Sequence, residues 1–182
     1  IYDDGGRLIE EHTNIGKNSY RRDYFYDSNG LVAITGHRLY KGISKYYYTK
    51  VVPFMVHEDV IFNLNSYGLP LRKNVSGDVS YTVDYTYIDS LVFSEKITIG
   101  NEEYIKNFER DENGRVSKVD GYSLDILNIS CGPSIALYKS TTEYQYNEIG
   151  LPILKIVTGD LEYLKRYEYS TDNLLVKEIL EF

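Results

Sequence analysis

The sequence predicts an all-β protein, an antiparallel up-and-down meander of about 14 strands rolled into a barrel or barrel-like sheet. Three observations predict this fold. A turn motif recurs along the whole chain, aromatic and polar residues alternate between the turns, and the composition has 20 Tyr, 14 Gly and no Trp. Aromatic and β-branched residues favour half-buried strands, and glycine favours tight turns.

The turn motif is a short polar stretch that ends in glycine and is followed by a larger, often apolar residue. Neighbouring copies are about 23 residues apart, except across two longer gaps. Asparagine can replace glycine in one copy because it tolerates the left-handed conformation. The seven main turns end at Gly6, Gly30, Gly68, Ser90, Gly114, Gly150 and Asn173.

Between the main turns lie shorter glycine-containing stretches that predict secondary turns. Two turns in each repeat predict two strands in each repeat. Because a twisted open sheet rarely exceeds about 10 strands, a sheet of about 14 is expected to curl or close. The predicted secondary turns are 14–17, 35–36, 76–78, 99–101, 120–121 and 158–160.

The segments between the turns have the alternation of strands with one buried face. Tyr81, Val83 and Tyr85 fall on one face of such a strand, and Thr82 and Asp84 fall on the other. A helix would need its apolar residues three and four positions apart, which this segment does not offer.

The chain is predicted to form a single domain over residues 1–182, with insertions near 43–57 and 122–137. Each of the two longer gaps exceeds the repeat by about 14 residues, which indicates inserted residues rather than missing turns. Both insertions are more apolar than an exposed loop requires. They are expected to fold back on the sheet or plug one end of the barrel, and the alternative is a lid over a pocket.

Charge and composition exclude several classes of partner. The net charge of −7 argues against nucleic acid and anionic membranes, both of which select a basic face. No stretch is apolar enough to span a membrane as a helix, and the polar residues on both strand faces argue against a membrane barrel. The chain begins at Ile1, within a repeat, so an N-terminal segment is expected to have been removed.

The motif has the pattern Tyr-Asp-x-x-Gly-Arg/Leu, its best copies are 26–31 and 111–115, and the Tyr-Asp pair is intact at Tyr2 and Tyr26. This pattern resembles the YD, or Rhs-type, repeats of bacterial surface and toxin-encapsulating proteins. The chain is also similar to short secreted lipoproteins of gut Bacteroidetes that carry such repeats in a porin-like β-meander. The resemblance implies an extracytoplasmic location and a structural or binding role, with no catalytic residues attached to the repeat.

The candidate ligand-binding residues are Tyr46, Tyr47, Tyr48 and His57, in the first insertion. Consecutive aromatic residues in a strand point to both faces, so at least one ring is directed away from the core or into a lumen. Such rings could stack on a sugar. The structural alternative is that the repeat tyrosines pack across the sheet against one another.

The sequence predicts that the protein has no metal site, no cofactor and no enzymatic activity. The three histidines lack ligand spacing, and the stretch that begins at Asp111 lacks the last glutamate of a calcium loop. Cys131 is the single cysteine and is expected to be a buried, inert thiol. None of the common catalytic motifs is present.

The sequence therefore favours a non-enzymatic, extracytoplasmic binding, interaction or structural module of a bacterial surface or secreted protein. Its partner would be a glycan, a protein or an apolar ligand. A carrier of a small apolar ligand in the barrel lumen is the alternative. A glycoside hydrolase built from scattered carboxylates is the least favoured reading, because 27 acidic residues could supply such pairs in almost any fold.

Overall fold

The computed structural model describes residues 1–15, 18–43, 51–129, 132–160 and 162–181. The regular elements in these ranges are all β-strands. The described residues include no helix that is both long and apolar enough to cross a membrane. The thirteen strands are β1 Glu10–Ile15, β2 Asn18–Asp27, β3 Gly30–Ile43, β4 Val51–Leu64, β5 Pro70–Gly77, β6 Tyr81–Ile88, β7 Leu91–Ile99, β8 Glu102–Arg110, β9 Val116–Ile129, β10 Gly132–Tyr146, β11 Pro152–Gly159, β12 Tyr163–Tyr169 and β13 Leu175–Glu181.

The strands form one 13-stranded sheet in which spatial order follows chain order from β1 to β13. The registers seen between neighbouring strands are antiparallel. The predicted all-β, up-and-down meander is confirmed. The expected fourteenth strand is reduced to one bridge, in which Tyr2 pairs with Leu8 across the first main turn.

Contacts divide the described residues into two compact units. Unit 1 comprises Ile1–Thr86, Lys96–Glu103 and Asp125–Ala136, and unit 2 comprises Tyr87–Glu95, Tyr104–Leu124 and Leu137–Phe182. The single domain over 1–182 stays a prediction.

Most main turns share one hydrogen-bonded design. The Asp111 carboxylate accepts hydrogen bonds from the N–H groups of Asn113 and Arg115, at 2.9 and 3.0 Å. The N–H of Asp111 donates back to the Arg115 carbonyl at 2.9 Å. A polar side chain therefore closes the turn locally. The bond to the fifth residue recurs in the turns that begin at Asp3, Asn65, Asn147 and Ser170.

The residue at the fourth position of these turns has a positive φ, which explains its identity. Gly114 has φ 77°, and Asn173 has φ 61° where the other copies have glycine. The predicted left-handed role of Asn173 is confirmed. The degenerate copy at Asp89 and Ser90 forms a two-residue hairpin turn with φ 50° and 65°.

The main turns are tied to one another by tyrosine hydroxyls. Tyr26 donates to the carbonyl of Leu8 at 2.9 Å, and Tyr146 donates to the carbonyl of Val116 at 2.7 Å. Leu8 follows the turn that begins at Asp3, and Val116 follows the turn that begins at Asp111. Each tyrosine therefore bonds to the residue that follows an earlier turn of this design. These repeat tyrosines are therefore engaged in hydrogen bonds across the sheet, whereas packing of the repeat tyrosines against one another stays a prediction.

Two predicted secondary turns are wrong. Gly36 lies inside β3 and Gly121 lies inside β9. Their φ values of 117° and 130° and their close approach to a neighbouring strand explain the glycines. A Cβ on Gly36 would lie 2.3 Å from the Arg21 carbonyl oxygen, a distance that no side chain tolerates.

The described residues of the two predicted insertions fall in two hairpins of long strands, β3 with β4 and β9 with β10. β3 and β4 have 14 residues each, and β9 and β10 have 14 and 15, whereas the other strands have 6 to 10. The described insertion residues therefore lengthen two hairpins. Packing back on the sheet, or acting as a lid, stays a prediction.

The apolar core of unit 1 includes one face of β4, β5 and β6. Val56, Val60 and Val75 are at most 4% exposed. Tyr81 and Val83 are buried next to them, as the alternation predicted. Cross-strand pairs set this face, because Val60 lies opposite Val75 and Val75 lies opposite Tyr81.

Candidate functional site

Of the four predicted binding residues, His57 is described and Tyr46, Tyr47 and Tyr48 lie outside the described residues. His57 belongs to β4 and lies directly opposite His37 of β3, with 5.1 Å between the ring centroids. The Tyr20 ring lies 5.3 Å from the other side of His37. The predicted site residue is therefore the end of a three-ring contact.

Polar contacts hold His57 in place. Its backbone N–H donates to the Asp78 carboxylate at 2.8 Å, and its Nε2 lies 3.6 Å from the Asp59 carboxylate. The Thr35 hydroxyl donates to the other oxygen of Asp59. In the part of the chain that the structure describes, the buried Nδ1 of His57 meets no hydrogen-bond partner.

On a row next to the histidine pair, two charged residues are buried on either side of a glycine. Arg22 of β2 lies opposite Gly36 of β3, and Gly36 lies opposite Glu58 of β4. Arg22 is 8% exposed and Glu58 is 1% exposed. Because Gly36 has no side chain, the Arg22 guanidinium reaches Glu58, with 3.5 Å between Nη2 and Oε2.

This ion pair leaves part of the arginine unsatisfied. A distance of 3.5 Å lies at the outer limit for a hydrogen bond. The buried Nε of Arg22 has no hydrogen-bond partner among the described residues. Buried guanidinium groups normally satisfy their N–H donors, since desolvation is expensive for a charge.

Arg22 lines an open cleft of about 460 Å³ in unit 1, which we call the arginine cleft. A second guanidinium, from Arg38, lines it as well, and Ile34 contributes an apolar wall. The cleft also includes His37, so it adjoins the contact of His37 with His57. Its remaining lining residues are Glu11, Thr13, Tyr24 and Leu39.

Tyr24 and Glu11 form a bonded pair in the cleft wall. The Tyr24 hydroxyl donates to the Glu11 carboxylate at 2.8 Å. Burial first, and then this bond to Glu11, raises the pKa of Tyr24 above its ordinary value. The Tyr24 hydroxyl is therefore a neutral hydrogen-bonding group at physiological pH.

Tyr81 experiences the same charged cluster. Burial first, and then the negative charge of Glu58, raises the pKa of Tyr81 to about 12. The positive charges of Arg38 and Arg22 oppose this rise. Lys73 donates to the Tyr81 hydroxyl at 3.2 Å.

The arginine cleft offers guanidinium donors, one carboxylate, one phenol and the imidazole of His37. No group of three or more His, Cys, Asp and Glu side chains in the described part of the chain is placed to hold a metal. The expected absence of metal, cofactor and catalysis stays a prediction.

Unit 2 repeats the local framework of the cleft with other residues. Lys106 lies opposite Gly121, which matches the pair of Arg22 and Gly36 in unit 1. Ser140 lies opposite Gly159, which matches the pair of Glu58 and Gly77. Lys106 is paired with Glu95 at 2.9 Å. The glycine framework therefore does not require the Arg22–Glu58 pair.

The ring contacts are repeated in the same way. The Tyr104 and Tyr122 rings lie 5.1 Å apart, as those of Tyr20 and His37 lie 5.3 Å apart. The Lys139 ammonium lies 5.9 Å from the Tyr122 ring, in the place of the His57 contact. His57 thus occupies in unit 1 the position that Lys139 occupies in unit 2, and its role in ligand binding stays a prediction.

Unit 2 has an apolar cleft of about 590 Å³ at the main turns. Leu91, Phe93 and Ile88 line it and are between 42% and 55% exposed. Phe108 and Val92 complete the apolar lining. This cleft is one place in the described chain where an apolar ligand would fit.

Sequence reasoning missed Arg22 and Glu58. Their separation of 36 residues hides the contact, and neither belongs to a motif. The one local signal is a charged residue on the face where Tyr20 and Tyr24 alternate with polar neighbours. That signal identifies a candidate charge but not its partner.

No protein-family model and no curated protein match the chain. Among solved structures, a chain in "Crystal Structure of TcdB2-TccC3-Cdc42" is similar over 100% of this chain, with 14% sequence identity and a TM-score of 0.31. The protein spans 12% of that chain. A likeness this weak decides neither fold nor function.

Proposed function

We propose that this protein is a non-enzymatic, extracytoplasmic binding or interaction module of a bacterial surface or secreted protein. The arginine cleft is the observation that carries the binding role. It places a buried arginine with an unpartnered Nε, a second arginine and a phenol around an open space. The extracytoplasmic location rests on the resemblance to YD repeats alone.

The turn residues support a scaffold role for the rest of the sheet. Asp3 bonds Arg7 at 2.7 Å, and Arg7 lies 5.0 Å from the Tyr26 ring. Asp111, Arg115 and the Tyr146 ring repeat this arrangement, with 4.7 Å between cation and ring. The polar residues of the YD-like motif are thus engaged in stabilising turns, which supports a structural repeat of that kind.

A glycan array with purified protein tests the binding role. Binding to a defined set of glycans that disappears when the arginine cleft is altered supports the proposal. An array without binding, together with no retained protein partner on the native protein, contradicts it.

The second candidate is a carrier of a small apolar ligand, and the apolar cleft of unit 2 favours it. Native mass spectrometry of protein purified from its own host tests this candidate. A discrete excess mass that organic extraction removes supports the carrier. A mass equal to that of the bare chain contradicts it and directs the search to the arginine cleft.

A further inference from the structure

We propose that the arginine cleft binds the carboxylate of a small hydroxylated ligand, with Arg22 as the residue that recognises the charge. This inference rests on the proposed binding function and names its ligand class. Three observations carry it: the unpartnered donor of Arg22, the balance of charges in the cleft, and the replacement of the charged pair in unit 2.

The first observation is the state of the Arg22 guanidinium. The group has five N–H donors in a planar fork. Glu58 meets one nitrogen at 3.5 Å, and Nε is buried without a partner. A carboxylate is the group that matches this fork, since it accepts two parallel hydrogen bonds.

The second observation selects the charge of the ligand. Arg22 and Arg38 supply two positive charges, and Glu11 in the cleft and Glu58 beside Arg22 supply two negative ones. A dianion such as phosphate would meet repulsion from both carboxylates. A single carboxylate on an otherwise neutral ligand avoids much of this repulsion.

The body of the ligand is selected by the remaining wall. Glu11 already accepts from Tyr24 at 2.8 Å, and a carboxylate has further acceptor sites. Hydroxyl groups of a ligand could donate to these sites. A uronic acid, which joins one carboxylate to several hydroxyls, has this chemistry.

The third observation separates the pair from the demands of the fold. Unit 2 keeps the glycine framework and has Lys106 and Ser140 in the positions of Arg22 and Glu58. Lys106 there has a close partner in Glu95, at 2.9 Å. Of these two frameworks, that of unit 1 has the buried charged pair and the arginine whose Nε meets no hydrogen-bond partner among the described residues.

The test is an NMR titration that follows the Arg22 Nε–H signal in the full chain. Sodium glucuronate is the probe, and methyl glucoside is the neutral control of similar size. At about 10 mM, a site of millimolar affinity is largely filled, so glucuronate should shift the signal saturably. Methyl glucoside and inorganic phosphate should leave it in place.

Two variants and a matched control sharpen the result. Arg22→Lys should weaken glucuronate binding about tenfold or more, because it loses a charge-assisted bidentate contact. Glu58→Gln should strengthen binding a few-fold because it removes the competing anion, and it answers the question if Arg22→Lys does not fold. Lys106→Met, at the equivalent place in unit 2, should leave the affinity unchanged.

The results of these experiments distinguish a failure of the carboxylate site from a failure of the proposed binding function. No shift with glucuronate, or an equal shift with methyl glucoside, overturns the carboxylate site. If the array then shows a neutral glycan whose binding Arg22→Lys leaves intact, the binding module stands and this inference falls. A phosphate shift larger than the glucuronate shift also overturns it.

Discussion

Burial in unit 1 changes the pKa of a residue that the sequence alone does not distinguish from others of its type. Tyr81 is one of 20 tyrosines, yet it is buried beside Glu58 and its pKa rises to about 12. The folded protein therefore holds its neutral form. Its hydroxyl contributes stability that is complete below the ordinary tyrosine pKa of about 10.

This stability should be lost as the pH rises from about 10 to about 12, because the unfolded chain ionises Tyr81 first. A shift of this size corresponds to about 3 kcal/mol of unfolding free energy. Tyr81→Phe should remove that part of the alkaline loss. Urea unfolding of both proteins at several pH values between these limits measures it, and identical pH profiles would contradict the assignment.

The first residue of a main turn acts through a single side-chain oxygen. Asn65 accepts from the N–H groups of Tyr67 and Leu69 at 2.9 and 3.0 Å. Asn65→Ala should lower the free energy of unfolding by about 1–2 kcal/mol, since it leaves both donors to solvent. Thermal or urea unfolding measures the change.

Two variants serve as controls for this turn. Asn65→Asp should retain most of the stability, because Asp111 makes the same two contacts in its own turn. Ser66→Ala alters an exposed neighbour and should change little. Equal losses in the three variants would mean that the side-chain oxygen is not what closes the turn.

At the scale of the strand, Gly121 inside β9 and Gly132 at the start of β10 illustrate two different constraints on a glycine position. Gly121 and Gly132 have similar φ values, 130° and 118°. A Cβ on Gly121 would lie 2.1 Å from the carbonyl oxygen of Ile105, whereas one on Gly132 has open space around it. The first position combines backbone strain with a clash, and the second has strain alone.

Gly121→Ala should therefore lower the free energy of unfolding by about 3 kcal/mol or more. Gly132→Ala should lower it by about 1 kcal/mol, the expected penalty for a side chain at positive φ. Denaturant unfolding of the two variants measures the difference. Equal losses would show that β8 moves away from β9 to accommodate the new methyl group.

At the scale of the whole sheet, the last strand, β13, exposes apolar side chains. Within the described sheet, β13 has β12 as its one neighbour. Val176 and Leu180 of β13 are 62% and 49% exposed, and Leu174 just before it is 66% exposed. An edge strand of this kind is a template for pairing with another chain.

Val176→Lys should reduce concentration-dependent self-association of the 182-residue chain, because a charge on an edge strand opposes strand pairing. Light scattering coupled to size exclusion, over a range of concentrations, measures the effect. Thr171→Lys adds the same charge in the neighbouring turn and should leave association unchanged. Equal effects of the two variants would assign the result to net charge.

The sequence by itself determined the meander, its strand order and most of its turns. Turn chemistry is local, so the residue types of Asn173 and Gly114 indicate their left-handed conformation. The strand order follows from the short connections, because each strand pairs with the next one in the chain. The errors at Gly36 and Gly121 have one cause. Glycine is required both in a tight turn and where one strand crosses close to another, and the residue type alone does not distinguish the two.

Only the tertiary structure decided where the candidate site lies. Arg22 and Glu58 are 36 residues apart and meet because β2, β3 and β4 pair in a register that places Gly36 between them. Register depends on all the cross-strand contacts of a hairpin at once, so no local pattern encodes that row. The physical reason is the range of the interaction: hydrogen bonds within a turn specify the turn, whereas a buried charge pair is specified by strands distant in the chain.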